Sequence, residues 1–137
     1  MLSIVIDTSV VIAGIRSKHG ASRQLLRQVL SGEYEPVFGD ALWYEYLSVA
    51  SREDVLPHIP YGYVRVILDG LASVGRWVEI HYDWRPNLRD ESDNHLIELA
   101  LAAGSAVLVT HNIRDLRKGE LDFKSIHVCT PGQLIGS

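Results

Sequence analysis

Short runs of branched aliphatic residues, separated by longer stretches of helical periodicity, set out the elements of this chain. Leu2 to Ile6 is aliphatic except at Ser3 and stops abruptly at Asp7-Thr8-Ser9, which predicts a buried strand running into a turn or a helix cap. Ser9 to Ile15 and Ala21 to Leu30 come next as helices. The second carries Leu25, Leu26, Val29 and Leu30 on one stripe, with Arg23 and Arg27 off it, and Ser31-Gly32 closes it. Tyr34 to Phe38 is a second short strand, after which Gly39-Asp40 supplies a turn and N-cap for a helix from Ala41 to about Ser51. A further helix spans about Tyr61 to Val74. Trp77 to Tyr82 alternates as a strand, Arg85-Pro86-Asn87 is a loop, and Asp90 opens a helix to about Ala103. Ala106 to Thr110 is a buried strand, and Ser125 to Cys129 is the last, ended by Pro131-Gly132 and a short tail.

Strands that alternate with helices form βα units, so the expected fold class is α/β with a mostly parallel sheet covered by helices on both faces. Such sheets bind ligands at the carboxyl ends of their strands. The residues just beyond those ends are acidic here: Asp7 after the first strand, Asp90 to Asp93 after the third, and Asp115 closing the Thr110 to Asp115 segment after the fourth.

The composition narrows the classes. With 137 residues, 47% hydrophobic and 22% charged, the chain is expected to be one globular domain over 1–137, and disordered, collagen-like and coiled-coil chains are excluded. The single cysteine, Cys129, forms no intrachain disulfide, reads as a structural thiol and fits a reducing, cytoplasmic location. The first fifteen residues lack a positive n-region and are interrupted by Asp7, so no secretory signal is expected. Leu99 to Val109, the longest apolar stretch, is about half the roughly 20 residues that span a bilayer, so no membrane association is expected. The formal charge of −4, from 17 acids and 13 bases, argues against a protein coated in basic charge. It leaves room for a nucleic-acid enzyme, because four acids gathered around cations would leave the remaining charges balanced.

The acids are oddly placed. On the helix after Asp90, Leu96, Ile97, Ala100 and Leu101 define the apolar stripe; Asp93 falls on that stripe, while Glu91 and Glu98 fall on the expected solvent side. An inward carboxylate needs a partner, or else Asp90 is the N-cap and Asp93 an N3 acid favoured by the helix dipole. On the helix from Ala41, Glu45 lies at the edge of the face formed by Leu42, Trp43, Tyr46, Leu47 and Ala50, as a solvated glutamate or as a site residue. Asp7 reads equally as a helix cap, with Thr8 and Ser9, or as a ligand. Asp115 alone reads as a loop acid; the signal is the set.

Carboxylates converging on one sheet edge repel, and hard divalent cations relieve that repulsion. Oxygen-only ligands suit Mg²⁺ or Mn²⁺, which activate water and stabilise the entering and leaving oxygens of phosphodiester hydrolysis. Zinc is disfavoured: the histidines, His19, His58, His81, His95, His111 and His127, show no ligand spacing and read as ordinary surface or core residues. No phosphate-binding, dinucleotide or serine-hydrolase motif occurs.

Asp7-Thr8-Ser9 after the first strand, Glu45 on a mid-chain helix, Arg89-Asp90-Glu91-Ser92-Asp93-Asn94 opening another, and Val109-Thr110-His111-Asn112 after a strand together resemble the PIN-domain ribonucleases. The resemblance covers nearly the whole chain and is greatest to the small VapC-type toxins of prokaryotic toxin–antitoxin pairs. It implies a three-layer α/β/α sandwich, Mg²⁺- or Mn²⁺-dependent cleavage of RNA, restraint by a cognate antitoxin whose C-terminal segment occupies the acidic groove, and a homodimer. By the same resemblance Asp7, Glu45 and Asp93 match the family's three main acids. Asp115 is the candidate for the fourth, and Asn112, at the nearer position, is a neutral oxygen ligand or water-positioning group. Asp90 takes a supporting or capping role.

Substrate grip would come from Arg16, Lys18 and Arg23, and from Arg85, Arg89, Arg114, Arg117 and Lys118, each equally readable as part of a solvated rim. Trp43-Tyr44 and Tyr61 to Tyr63 could form an interface or pack in the core. Two other readings compete. A Mg²⁺-dependent phosphotransfer domain would want an aspartate at the position of Ser9, or a lysine where Thr110-His111-Asn112 stands. A PIN-like fold without activity would serve as a binding module.

Overall fold

The computed structural model describes residues 1–80, 91–113 and 126–136, with the side chains of residues 91–94 excepted. Five strands form one all-parallel sheet: β1 (Leu2–Ile6), β2 (Tyr34–Phe38), β3 (Arg76–Trp77), β4 (Val107–Val109) and β5 (Val128–Cys129), in the order β3-β2-β1-β4-β5. Six helices accompany them among the described residues: α1 (Thr8–Arg16), α2 (Ala21–Leu30), α3 (Asp40–Ala50), α4 (Tyr61–Val74), α5 (Glu91–Ala102) and α6 (Pro131–Ile135). α2 and α4 pack against β2, and α5 packs against β1, β2 and β4. Right-handed crossovers running in opposite directions from β1 put their helices on opposite faces of the sheet, which gives the α/β/α layering.

β1 is the central strand, and Ile4, Val5 and Ile6 are buried as a fully enclosed parallel strand requires. Two glycines mark close approaches: a Cβ at Gly75 would lie 2.2 Å from Phe38 Cε2, and one at Gly14 would lie 2.5 Å from Leu26 Cδ1. Phe38 centres an aromatic group with Trp43, Tyr46 and Trp77, ring centroids 5.4 to 6.1 Å from its own. Tyr44, Tyr61 and Tyr63 are exposed, so the two aromatic stretches divide between core and surface. Cys129 is buried, and burial pushes its thiol up, as suits a structural residue.

Four expectations need correction. The strand expected over Trp77 to Tyr82 is confined within the described residues to Arg76–Trp77, with one further bond beyond it from the Val78 N–H to the Phe38 carbonyl at 2.9 Å. Its partner β2 ends at Phe38, where the chain turns into α3, so no ladder remains to pair with. The expected tail after Pro131 is instead α6: Thr130 caps it, accepting from the Gln133 N–H while Gln133 accepts from the Thr130 N–H, and Pro131 stands at its start. Glu98, expected to face solvent, is 5% exposed, because residues 96–100 of α5 are all buried. Leu30, placed on the apolar stripe of α2, is 40% exposed.

No helix among the described residues is long and apolar enough to cross a membrane.

Candidate active site

From β1 the chain builds β2 and β3 to one side and later β4 and β5 to the other, so the strand order reverses between β1 and β4. A crevice opens at the carboxyl ends of the two strands where such crossovers diverge. Asp7 stands there at the end of β1, and its backbone N–H donates to the Val109 carbonyl at 2.9 Å, closing the end of the β1–β4 ladder.

Asp7 holds the N-cap position of α1 but makes no side-chain capping bond. Its Oδ2 accepts from Thr110 Oγ1 at 2.7 Å and from Ser9 Oγ at 3.3 Å. Of the two readings of Asp7, the cap therefore holds only for the backbone, and the carboxylate belongs to the crevice. Thr110, fully buried, also accepts from the Asn112 N–H at 3.0 Å. One hydroxyl thus fixes both the acid after β1 and the loop after β4. Asp7 Oδ1 is left with no hydrogen bond among the described residues.

Glu45 reaches the same crevice from α3. Its Oε2 lies 3.0 Å from His95 Nε2 of α5, with the glutamate side chain 38% exposed and the histidine 15%. The His95 hydrogen bond holds the Glu45 carboxyl below its ordinary range, against burial, which raises it. Beneath them the Tyr46 phenol donates to the carbonyl of Ile6, the residue just before Asp7. Burial pushes that phenol far up, and the nearby Asp7 and Glu45 charges add to the effect.

Asp7 and Glu45 open onto a cavity of about 420 Å³. Asp7, Glu45, Thr8, Ser9 and Asn112 supply its polar lining, Ile12, Val49 and Leu96 an apolar wall, and Arg16 a cation at the far end of α1. The structure therefore brings together six of the residues expected from sequence: Asp7, Thr8, Ser9, Arg16, Glu45 and Asn112. Lys18 is exposed and does not line the cavity. Asp93 lies in the first turn of α5, but its side chain falls outside the described residues, as do Arg89, Asp90, Arg114 and Asp115. Among the described residues no three His, Cys, Asp or Glu side chains gather as a metal cluster. The donors that do line the cavity are oxygens, and Asp7 Oδ1 and Glu45 Oε1 are free of hydrogen bonds among those residues. That donor set fits Mg²⁺ or Mn²⁺ rather than zinc.

Sequence reasoning does not single out three contributors: Thr110, Tyr46 and His95. It sets His95 among ordinary histidines, and the structure corrects this by pairing the ring with Glu45. His111 likewise reaches Ser22 Oγ of α2, at 3.1 Å.

Comparison with known proteins agrees with this architecture. The family model for the PIN domain matches residues 3–114. VapBC2 from Rickettsia felis, solved bound to a DNA fragment from their promoter, contains a chain that superposes with a TM-score of 0.61 at 12% identity, covering 94% of this chain and 98% of that one. PAE2754 from Pyrobaculum aerophilum superposes with a TM-score of 0.59 at 16% identity, covering 98% of this chain and 88% of that one. No curated protein sequence matches. The structural likenesses carry the fold alone, whereas the family model spans most of the chain, including Asp7 after β1 and the acids of α3 and α5. On that match the chain belongs to the PIN-domain family.

Proposed function

We propose that this chain, a single domain over 1–137, is a divalent-metal-dependent endoribonuclease and the toxin of a toxin–antitoxin pair. The observation that carries the reading is the cavity at the β1–β4 crevice, where Asp7 and Glu45 present free carboxylate oxygens and Arg16 stands at the far end. Family membership supplies the reaction class, since PIN domains are in general nucleases.

In this reading Asp7 and Asp93 hold the principal Mg²⁺ or Mn²⁺, while Glu45 and Asp115 complete a second site or orient the attacking water. When bound, the cation lowers the pKa of water and offsets charge on the phosphate. The chain's own residues do the rest. Thr110 and Ser9 occupy Asp7 Oδ2, so the aspartate is held with Oδ1 available. Asn112 adds a neutral oxygen at the cavity wall, and by the family resemblance Asp90 would take a supporting or capping role. Arg16, joined by Lys18, Arg89 and Arg114, meets the phosphates of the RNA. The likeness to a chain of VapBC2, solved bound to a DNA fragment from their promoter, supports an antitoxin as the protein partner here. A homodimer belongs to the same reading.

The test is to incubate labelled single-stranded and structured RNA with the wild-type chain and the Asp93→Asn variant, with Mn²⁺, Mg²⁺ or EDTA. Cleavage by the wild type, abolished by EDTA and reduced at least about a hundredfold in the variant, is expected, since even residues supporting a metal ligand are worth 10- to 100-fold. Absence of cleavage with every metal, together with no calorimetric Mn²⁺ binding, would make the chain an inactive binding module.

A further inference from the structure

We propose that His95 is the positioning residue of Glu45, holding its carboxylate by a hydrogen bond from the helix that also carries Asp93. The proposal deepens the nuclease reading and rests on it for its consequence, but the contact itself stands on geometry.

Glu45 is more than a third exposed, and its side chain has three rotatable torsions, so nothing on α3 alone fixes its carboxylate. His95 does, from a different element. Its Nε2 lies 3.0 Å from Glu45 Oε2, and its ring is the more buried member of the pair. By occupying Oε2 it turns Oε1 into the oxygen free to serve the cavity. Tyr46, the next residue on α3, anchors the same helix to the Ile6 carbonyl, so the two contacts together set α3 against both α5 and the end of β1.

An ionised carboxylate only accepts, so the bond is donated by the His95 Nε2–H. A side chain with an N–H at the same place should replace it, and glutamine has one, its Nε2 amide standing near where the imidazole Nε2 stands.

Two measurements decide the matter. In the metal-free chain, long-range ¹H–¹⁵N spectra should show the His95 Nε2 resonance moved by Glu45→Ala; a resonance that Glu45→Ala leaves unchanged overturns the proposal, whatever the enzyme does. Calorimetric titration with Mn²⁺ should then show His95→Ala binding about tenfold more weakly than wild type, and His95→Gln close to wild type. Wild-type affinity in His95→Ala overturns the positioning role, and equal weakening in both variants, each shown folded by circular dichroism, overturns positioning by hydrogen-bond donation. A wild-type chain that neither binds Mn²⁺ nor cleaves RNA counts instead against the nuclease reading, and the spectra alone then decide the contact.

Discussion

Thr110 donates to a carboxylate and accepts from a backbone N–H while wholly shut off from water, so its hydroxyl has no substitute nearby. Thr110→Val keeps the shape and removes both bonds. It should lower stability by about 1–3 kcal/mol in urea unfolding, because buried groups are left unpaired. It should also weaken Mn²⁺ binding about tenfold by calorimetry, as loss of a group orienting a metal ligand does, with Thr110→Ser recovering most of both. The two acids that line the cavity were legible in the sequence because each breaks a local pattern: Asp7 ends an aliphatic run, and Glu45 borders an apolar helical face. Thr110 and His95 break no pattern. Their roles are set by partners 103 and 50 positions away, which no local periodicity encodes, and a search for zinc spacing cannot find a histidine whose nitrogen serves a carboxylate.

Among the elements, those that pack on one side against a continuous sheet were readable, and those whose surroundings are unusual were not. α2 keeps to its stripe, Leu30 aside, and α4 to its expected span, but α5 is covered by β1, β2, β4 and α3, so a one-faced helix cannot place Glu98 correctly. α6 announced itself through Thr130, Pro131 and Gln133, a cap, a first-turn proline and an N3 partner; the Pro-Gly pair masked it as a chain-ending turn. The close approaches give a graded prediction. Gly75→Ala must displace an aromatic ring and also meets the Pro36 carbonyl oxygen at 2.7 Å, so it should cost about 1–3 kcal/mol or more. Gly14→Ala meets Leu26 Cδ1 at 2.5 Å, Leu26 Cγ at 2.9 Å and the Ser22 carbonyl oxygen at 3.0 Å, looser nearest approaches than at Gly75, and should cost less; urea unfolding of the two variants ranks them. At the opposite end of the sheet, Glu35 of β2 accepts from Ser3 of β1 and Arg76 of β3, both at 2.9 Å. The Ser3 hydrogen bond, then that of Arg76, lowers its carboxyl from the ordinary 4.5. Its contribution is therefore present above pH 4.5 and lost as pH falls through the lowered value. Thermal melts should show Glu35→Gln slightly less stable than wild type at pH 7, with the gap closing in acid below pH 4.5.

For the whole molecule, a cation that binds only the folded crevice must raise the melting temperature, by mass action. Mn²⁺ at a hundred times its dissociation constant should add about 2.7 kcal/mol, reversed by EDTA, as read by scanning calorimetry. A melting temperature indifferent to Mn²⁺ would remove the metal from the account. The all-parallel sheet was foreseeable from alternating strands and helices, but the site's position depends on the strand order, which reverses between β1 and β4, and no stretch of sequence states that order. The same order bears on how the protein is made. Asp7 leaves the ribosome 103 residues before Thr110, whose hydroxyl holds it, and β4, against which β1 closes, begins only at Val107. A nascent chain therefore carries Asp7 unheld until β4 has been made, so a fragment that stops before that strand should lack the crevice and its cation site.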